Sequence, residues 1–289
     1  MLKDALRLQL DMGLTLTELG AGLAMSNALD RCCAQGDGAQ PVMLIPGFNA
    51  PENSMGHLTR FLNRNGFDAH AWGLGVNEGP SEAGFDAYVA QLADKLRHHV
   101  KILANRHGRG VALIGHSLGG VCARELALHL APDIDRVITL GAPVFPAASL
   151  RRHNALIRLM GERQMGRPMQ DVFTNAGTRH WPAHQPDIPC VAIVSPIDAA
   201  VSEPFALIPQ ETVDSSKAPA VRENVRIVAS HGGMGVNPRI LFAVADRLCA
   251  DAQAWQPFNH RRLRRLLNLS RRKRPVSARG RSQGTALSR

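Results

Sequence analysis

The chain has 289 residues, 45% of them hydrophobic and only 4% aromatic, enough for one sizeable core built on aliphatic side chains. Thirty-four Lys and Arg stand against 24 Asp and Glu, a net charge of +10, but eleven of those bases and no acid fall in His260–Arg289; the rest is near neutral, with 23 bases against 24 acids, which excludes a basic surface spread over the molecule. Five cysteines (Cys32, Cys33, Cys122, Cys190 and Cys249), odd in number and without CxxC spacing, exclude a disulfide framework and a cysteine zinc site and suit a reducing, cytoplasmic compartment.

Residues 1–40 are expected to form an N-terminal helical region. Leucine is frequent there, but Lys3, Asp4, Arg7, Asp11 and Glu18 interrupt the run, which falls short of the ~18 apolar residues of a spanning helix. An amphipathic helix docked on the domain is expected; a helix lying on a membrane surface is the alternative. No secretory signal is visible. After the break AQGDGAQP, VMLIPGFNAP predicts a short buried strand that stops at a glycine turn. Ser54–Asn65 predicts a helix, FDAHAWGLG the next strand, and Phe85–Arg106 a long amphipathic helix. VALIG (111–115) is the next strand and Gly119–Leu130 the next helix. RVITLGAPV (136–144), CVAIVSPID (from Cys190) and VRIVAS (225–230) complete the strands, and a helix over Pro238–Ala254 closes the domain, with proline in its first turn.

The short strands show no apolar–polar alternation, so both of their faces are buried. The fold class predicted is α/β, a mostly parallel sheet of about six core strands flanked by helices. The interval 147–189 is too long for a simple crossover and predicts a cap or lid inserted above the sheet. The organisation expected is a helical region over 1–40, an α/β domain over 41–258, and a basic, disordered tail over 259–289.

The chemistry centres on Val111–Gly120, VALIGHSLGG. Ser117 lies in G-x-S-x-G between a predicted strand and a predicted helix, the context that a nucleophile elbow requires. Such a turn brings the residues two before and two after the serine against neighbouring strands, so both must be small; Gly115 and Gly119 are. A serine hydroxyl needs a base. His231, directly after VRIVAS, holds the expected position after the last strand. The acid should leave an earlier strand end: Asp198 is the candidate, with Glu203, Asp187 and Asp214 as competitors. Oxyanion stabilisation calls for two converging main-chain N–H groups, one from Leu118 and one from Phe48 in the turn after VMLIP. His116 is expected to face away from Ser117, and His98, His99, His107 and His129 to be solvated. His180 and His184 have HxxxH spacing without the HExxH glutamate, which argues against zinc.

Together LIPGF, GHSLGG, SPIDAAVSE and SHGGMGVNP resemble the α/β-hydrolase superfamily, particularly its small bacterial lipases and esterases, over roughly Pro41–Trp255. Pro46 stands where many members have histidine. The resemblance implies ester hydrolysis through an acyl-enzyme, with Ser117, His231 and Asp198 as the triad and no metal or organic cofactor. It also implies a small-molecule ester, lipid included, as substrate. Acyl transfer and thioester hydrolysis on the same triad remain open, as does a hydrolase fold kept for binding alone. The tail HRRLRRLLNLSRRKR interleaves leucine with arginine. It suits a solvated tail or peripheral contact with anionic lipid, whereas nucleic-acid binding is disfavoured, since no aromatic follows Phe258 to stack on bases.

Overall fold

The computed structural model describes residues 2–144, 162–163, 168, 171, 186–209 and 221–264. Most of the expected cap, the competitor Asp214, His180 and His184, and nearly all of the expected tail lie outside the described residues.

Six strands form one sheet: β1 (Pro41–Ile45), β2 (Asp68–Ala71), β3 (Val111–His116), β4 (Ile134–Leu140), β5 (Cys190–Val194) and β6 (Arg222–Arg226). Their order across the sheet is β2-β1-β3-β4-β5-β6, and every neighbouring pair is parallel. The chain leaves β1 toward β2 on one side and returns to β3 on the other. The carboxyl ends of β1 and β3 therefore flank the topological switch point, where open α/β sheets bind their ligands.

Successive strand residues point to opposite faces, which divides the core in two. Met43, Ile45, Leu113 and Ala192 pack with α3 (Phe85–His107) and α4 (Leu118–His129). Val42, Leu44, Ile114, Val191 and Ile193 pack on the other face with α2 (Gly56–Arg64) and the closing helix. That helix follows the short α5 (Glu203–Ala206) and spans Pro238–Leu248 as α6. The longest of the described helices, α1 (Leu2–Cys32), lies against α6, α2 and the turn that carries His231. None of the described helices is long and apolar enough to cross a membrane.

Local chemistry sets the boundaries. The long helix α3 ends where Gly108 takes φ of +62°, a left-handed C-terminal stop that glycine accommodates readily. Asn237 caps α6 by accepting the Arg239 N–H at 2.9 Å, with Pro238 in the first turn. The closing helix stops at Leu248, short of the expected Ala254, because the carbonyls of Arg247, Leu248 and Ala250 turn onto the buried Arg136 guanidinium. The last strand differs most. Pairing covers Arg222–Arg226, not 225–230, because the ladder with β5 is set by the register Cys190↔Arg222 rather than by the apolar run. As an edge strand β6 tolerates polar residues, and Val225 alone in it is fully buried. At the expected domain boundary Phe258 is buried in the α6 side of the core, and past that boundary so is Leu263.

Candidate active site

Ser117 follows β3 in a backbone conformation that non-glycine residues rarely adopt, φ 53° and ψ −122°. Its N–H reaches the Leu140 carbonyl of β4 at 2.9 Å, and its own carbonyl receives the Gly120 N–H at 3.0 Å, opening α4. The turn is held by contact on both sides. A side chain at Gly115 would strike the Gly119 main chain, and one at Gly119 would strike the carbonyls of Ile45 and Pro46 at the end of β1. These clashes are what the spacing of the two glycines predicts.

The same packing brings the loop after β1 against the elbow. A Cβ on Gly47 would come within 3.3 Å of Ser117 Cβ, and the Phe48 ring and the Leu118 side chain both lie beside Gly79. The N–H groups of Phe48 and Leu118 thus belong to two segments in direct contact. A further residue holds this loop: Asn77, fully buried, donates through Nδ2 to the Pro46 carbonyl at 2.7 Å. Its main chain accepts the Asn49 N–H at 2.6 Å and donates to the Ala50 carbonyl at 3.0 Å. The Tyr88 hydroxyl, from the chain's one tyrosine, donates to Asn77 Oδ1 at 2.5 Å. Sequence pattern gave no sign of Asn77, since the pairing spans 31 residues.

His231 opens a short 3₁₀ turn (Gly232–Gly235) after β6, and its Nδ1 lies 2.9 Å from Asp198 Oδ2. Asp198 does not end the strand as expected. It lies four residues past β5, and the N–H groups of Ala200 and Val201 bond its other oxygen at 2.8 and 2.7 Å. Burial alone would raise the Asp198 pKa, but the His231 charge, the hydrogen bond to it and the two N–H groups hold it below the usual carboxylate value. Burial likewise pushes His231 down, while the Asp198 charge and hydrogen bond, with Asp11 beyond, outweigh it and raise the imidazole above its ordinary value. Gly141, at φ +53° after β4, lies so close to Asp198 that a Cβ there would stand 2.8 Å from Oδ2. The buried Ser195 hydroxyl joins the acid and histidine loops, donating to the Ala229 carbonyl at 2.6 Å and accepting its N–H at 3.1 Å.

The competitors stand elsewhere. Glu203 forms an ion pair with Arg226 at 2.5 Å, and Asp187 precedes β5 at its amino end. His116 Nε2 contacts the His231 carbonyl at 2.9 Å, and the two rings are 4.7 Å apart. Burial first, then the His231 charge, depresses His116 to about 3, so it is neutral and Nε2–H is the donor. His107 is not free in solvent as expected: Nε2 meets Asp68 at 2.7 Å.

A parallel sheet with an elbow serine at the switch point and an imidazole–carboxylate pair beyond the last strands defines an α/β-hydrolase fold. The chain belongs to the serine aminopeptidase S33 family of α/β hydrolases, whose model matches residues 37–187. No curated protein matches the chain. Among solved structures it is similar to a lipase-esterase related protein of Clostridium acetobutylicum, at 16% identity over 74% of this chain and 96% of that one, TM-score 0.46. It is also similar to the Paleococcus ferrophilus monoacylglycerol lipase, at 16% identity over 73% and 95%, TM-score 0.49. A third is the mature Bacillus licheniformis lipase BlEst2, at 18% identity over 74% and 93%, TM-score 0.46.

Proposed function

We propose that the protein is a serine hydrolase that cleaves carboxylic esters through an acyl-enzyme. The observation that carries this reading is the half-buried His231–Asp198 hydrogen bond of 2.9 Å, in the loops beyond β5 and β6, at the same carboxyl end of the parallel sheet as the strained Ser117. With Nδ1–H donated to Asp198, Nε2 is left as the base. Ser117 Oγ attacks the acyl carbon and its proton passes to Nε2. The developing oxyanion is met by the N–H groups of Phe48 and Leu118. The imidazolium then protonates the leaving alkoxide, and water, deprotonated by the same imidazole, releases the acid from Ser117.

An acyl ester of a small molecule or a lipid is the substrate class, supported by the GHSLGG elbow. Within this reading, 147–189 is the cap over the site, and the basic tail brings the enzyme to anionic lipid surfaces. Turnover of p-nitrophenyl esters of graded acyl length tests it, with fluorophosphonate labelling as the direct measure of serine activation. Ser117→Ala should abolish labelling and lower turnover by about 10⁴-fold or more. Wild-type turnover in that variant overturns the assignment. An unlabelled wild-type protein identifies a binding role, and an added alcohol that captures the acyl group identifies a transferase. Faster turnover of thioesters, or of aminoacyl anilides as the family's description suggests, would move the substrate class away from esters.

A further inference from the structure

Two carboxylates of the N-terminal helix lie against the turn that carries His231. Asp11, buried, accepts the His231 N–H on Oδ1 at 2.8 Å and the Gly232 N–H on Oδ2 at 3.2 Å. Seven residues on, Glu18 accepts Ser230 N–H at 3.0 Å, Ser230 Oγ–H at 2.5 Å and Asn237 Nδ2–H at 2.9 Å. Between them the Thr15 hydroxyl lies 2.9 Å from Ser230 Oγ. Positions 11, 15 and 18 share one helix face, so a single stripe of α1 grips the loop. Gly233 permits the approach, since a side chain there would strike Glu18 Oε2 and Ser230 Oγ.

The identity of Asp11 asks for a reason beyond hydrogen bonding. Its donors are neutral main-chain groups, and a buried carboxylate costs more to desolvate than a neutral acceptor that could take one of the same bonds. A negative charge at this position is favoured when the neighbouring group becomes positive. That neighbour is the His231 imidazole, which Asp198 approaches from the loop after β5 and His116 from the end of β3. Arg7, one helical turn before Asp11, lines the same ≈ 570 Å³ cavity as Asp11 and Asp198.

We propose that α1 is part of the catalytic machinery: Asp11 is a positioning residue that holds the His231 main chain and sets a second carboxylate charge behind the imidazole, with Glu18 fixing the turn beside it. This rests on the reading of His231 as the base. It gives the N-terminal helix a task that docking against the domain does not require.

The test uses the full chain with isotope-labelled histidine. The His231 resonance, assigned with His231→Gln, is titrated by NMR in the wild type, Asp11→Asn, Asp11→Ser and Asp11→Glu. The pH profile of kcat/KM on p-nitrophenyl esters is measured alongside. Removing the negative charge destabilises imidazolium, so in both neutral variants His231 should titrate at lower pH and the acid limb should move with it. The plateau kcat/KM should fall roughly tenfold, the scale of one charge-assisted hydrogen bond. Asp11→Glu keeps the charge and should titrate close to the wild type. A folded neutral variant whose His231 titrates at the wild-type pH overturns the proposal, and the second neutral variant keeps the test decisive should the first fail to fold. The NMR readout does not depend on turnover. If the wild type neither labels with fluorophosphonate nor cleaves esters, the base role fails separately while the titration still decides the coupling.

Discussion

Asp198 and His231 perturb each other in opposite directions, and that fixes the pH behaviour of the site. As the proposed base, His231 must be neutral at Nε2 to accept a proton, and its pKa is raised because the attraction of Asp198 and Asp11 outweighs burial. The acid limb of kcat/KM should therefore lie above the ordinary histidine value of about 6.5, with turnover falling roughly tenfold per pH unit below it. Asp198 stays ionised throughout that range, its pKa held down against burial by His231 and two N–H groups. In Asp198→Asn the limb should move to lower pH and kcat should drop by about 10⁴-fold, because the amide no longer fixes the tautomer or stabilises imidazolium. A flat profile between pH 5 and 8 in the wild type would exclude a histidine base. Neutral His116, its ring tilted by 40° against that of His231, adds no charge of its own over this range.

At the scale of elements, the closing helix depends on a residue near the amino end of an interior strand. Arg136 in β4 donates through Nη1 to the carbonyls of Arg247 and Leu248 at 2.8 Å and of Ala250 at 3.0 Å. These carbonyls lie at and just past the carboxyl end of α6, where helical donors run out, and the guanidinium also meets the helix dipole there. Arg136→Met should cost about 3 kcal/mol and lower Tm by roughly 5–10 °C, measured by thermal unfolding, while leaving fluorophosphonate labelling intact. Loss of labelling at a temperature where the variant is folded would show that α6 orders the site as well as the fold. The sequence carried the elements unevenly. Gly115 and Gly119 bracket Ser117 at a spacing that steric contact dictates, so the elbow was legible. The β6 register was not, because an edge strand needs no apolar pattern and RENVR has none. Asn77, Ser195 and Asp11 escaped for one reason: each holds a loop through main-chain contacts with residues distant in sequence, and no local period encodes such a pairing.

For the molecule as a whole, two helical layers close over the sheet, and the order β2-β1-β3-β4-β5-β6 sets the elbow and the Phe48 loop side by side at its centre. Buried strands such as VMLI and VALI announced the parallel sheet, since only a sheet covered on both faces needs them. The change in composition at His260 suggested that the domain ends near there, but charge and burial do not change at the same residue. Arg261, Arg262 and Arg264 are exposed while Leu263 between them is 6% exposed and packed in the α6 side of the core. His260 adds an edge-on contact with the Phe258 ring at 5.0 Å. Residues beyond Asn259 thus belong to the folded unit through a helical segment that buries Leu263 and pairs Arg262 with Asp246 at 3.3 Å. Two shortened chains separate this from charge alone, one ending at Arg264 and one at Asn259. The shorter should unfold at a Tm several degrees lower than the longer, as the loss of one buried leucine, about 2 kcal/mol, requires. Leu263→Ser in the full chain should reproduce most of that difference without removing any arginine. Equal Tm values for the two shortened chains would place the boundary of the folded domain at Asn259 and leave Leu263 without a stabilising role.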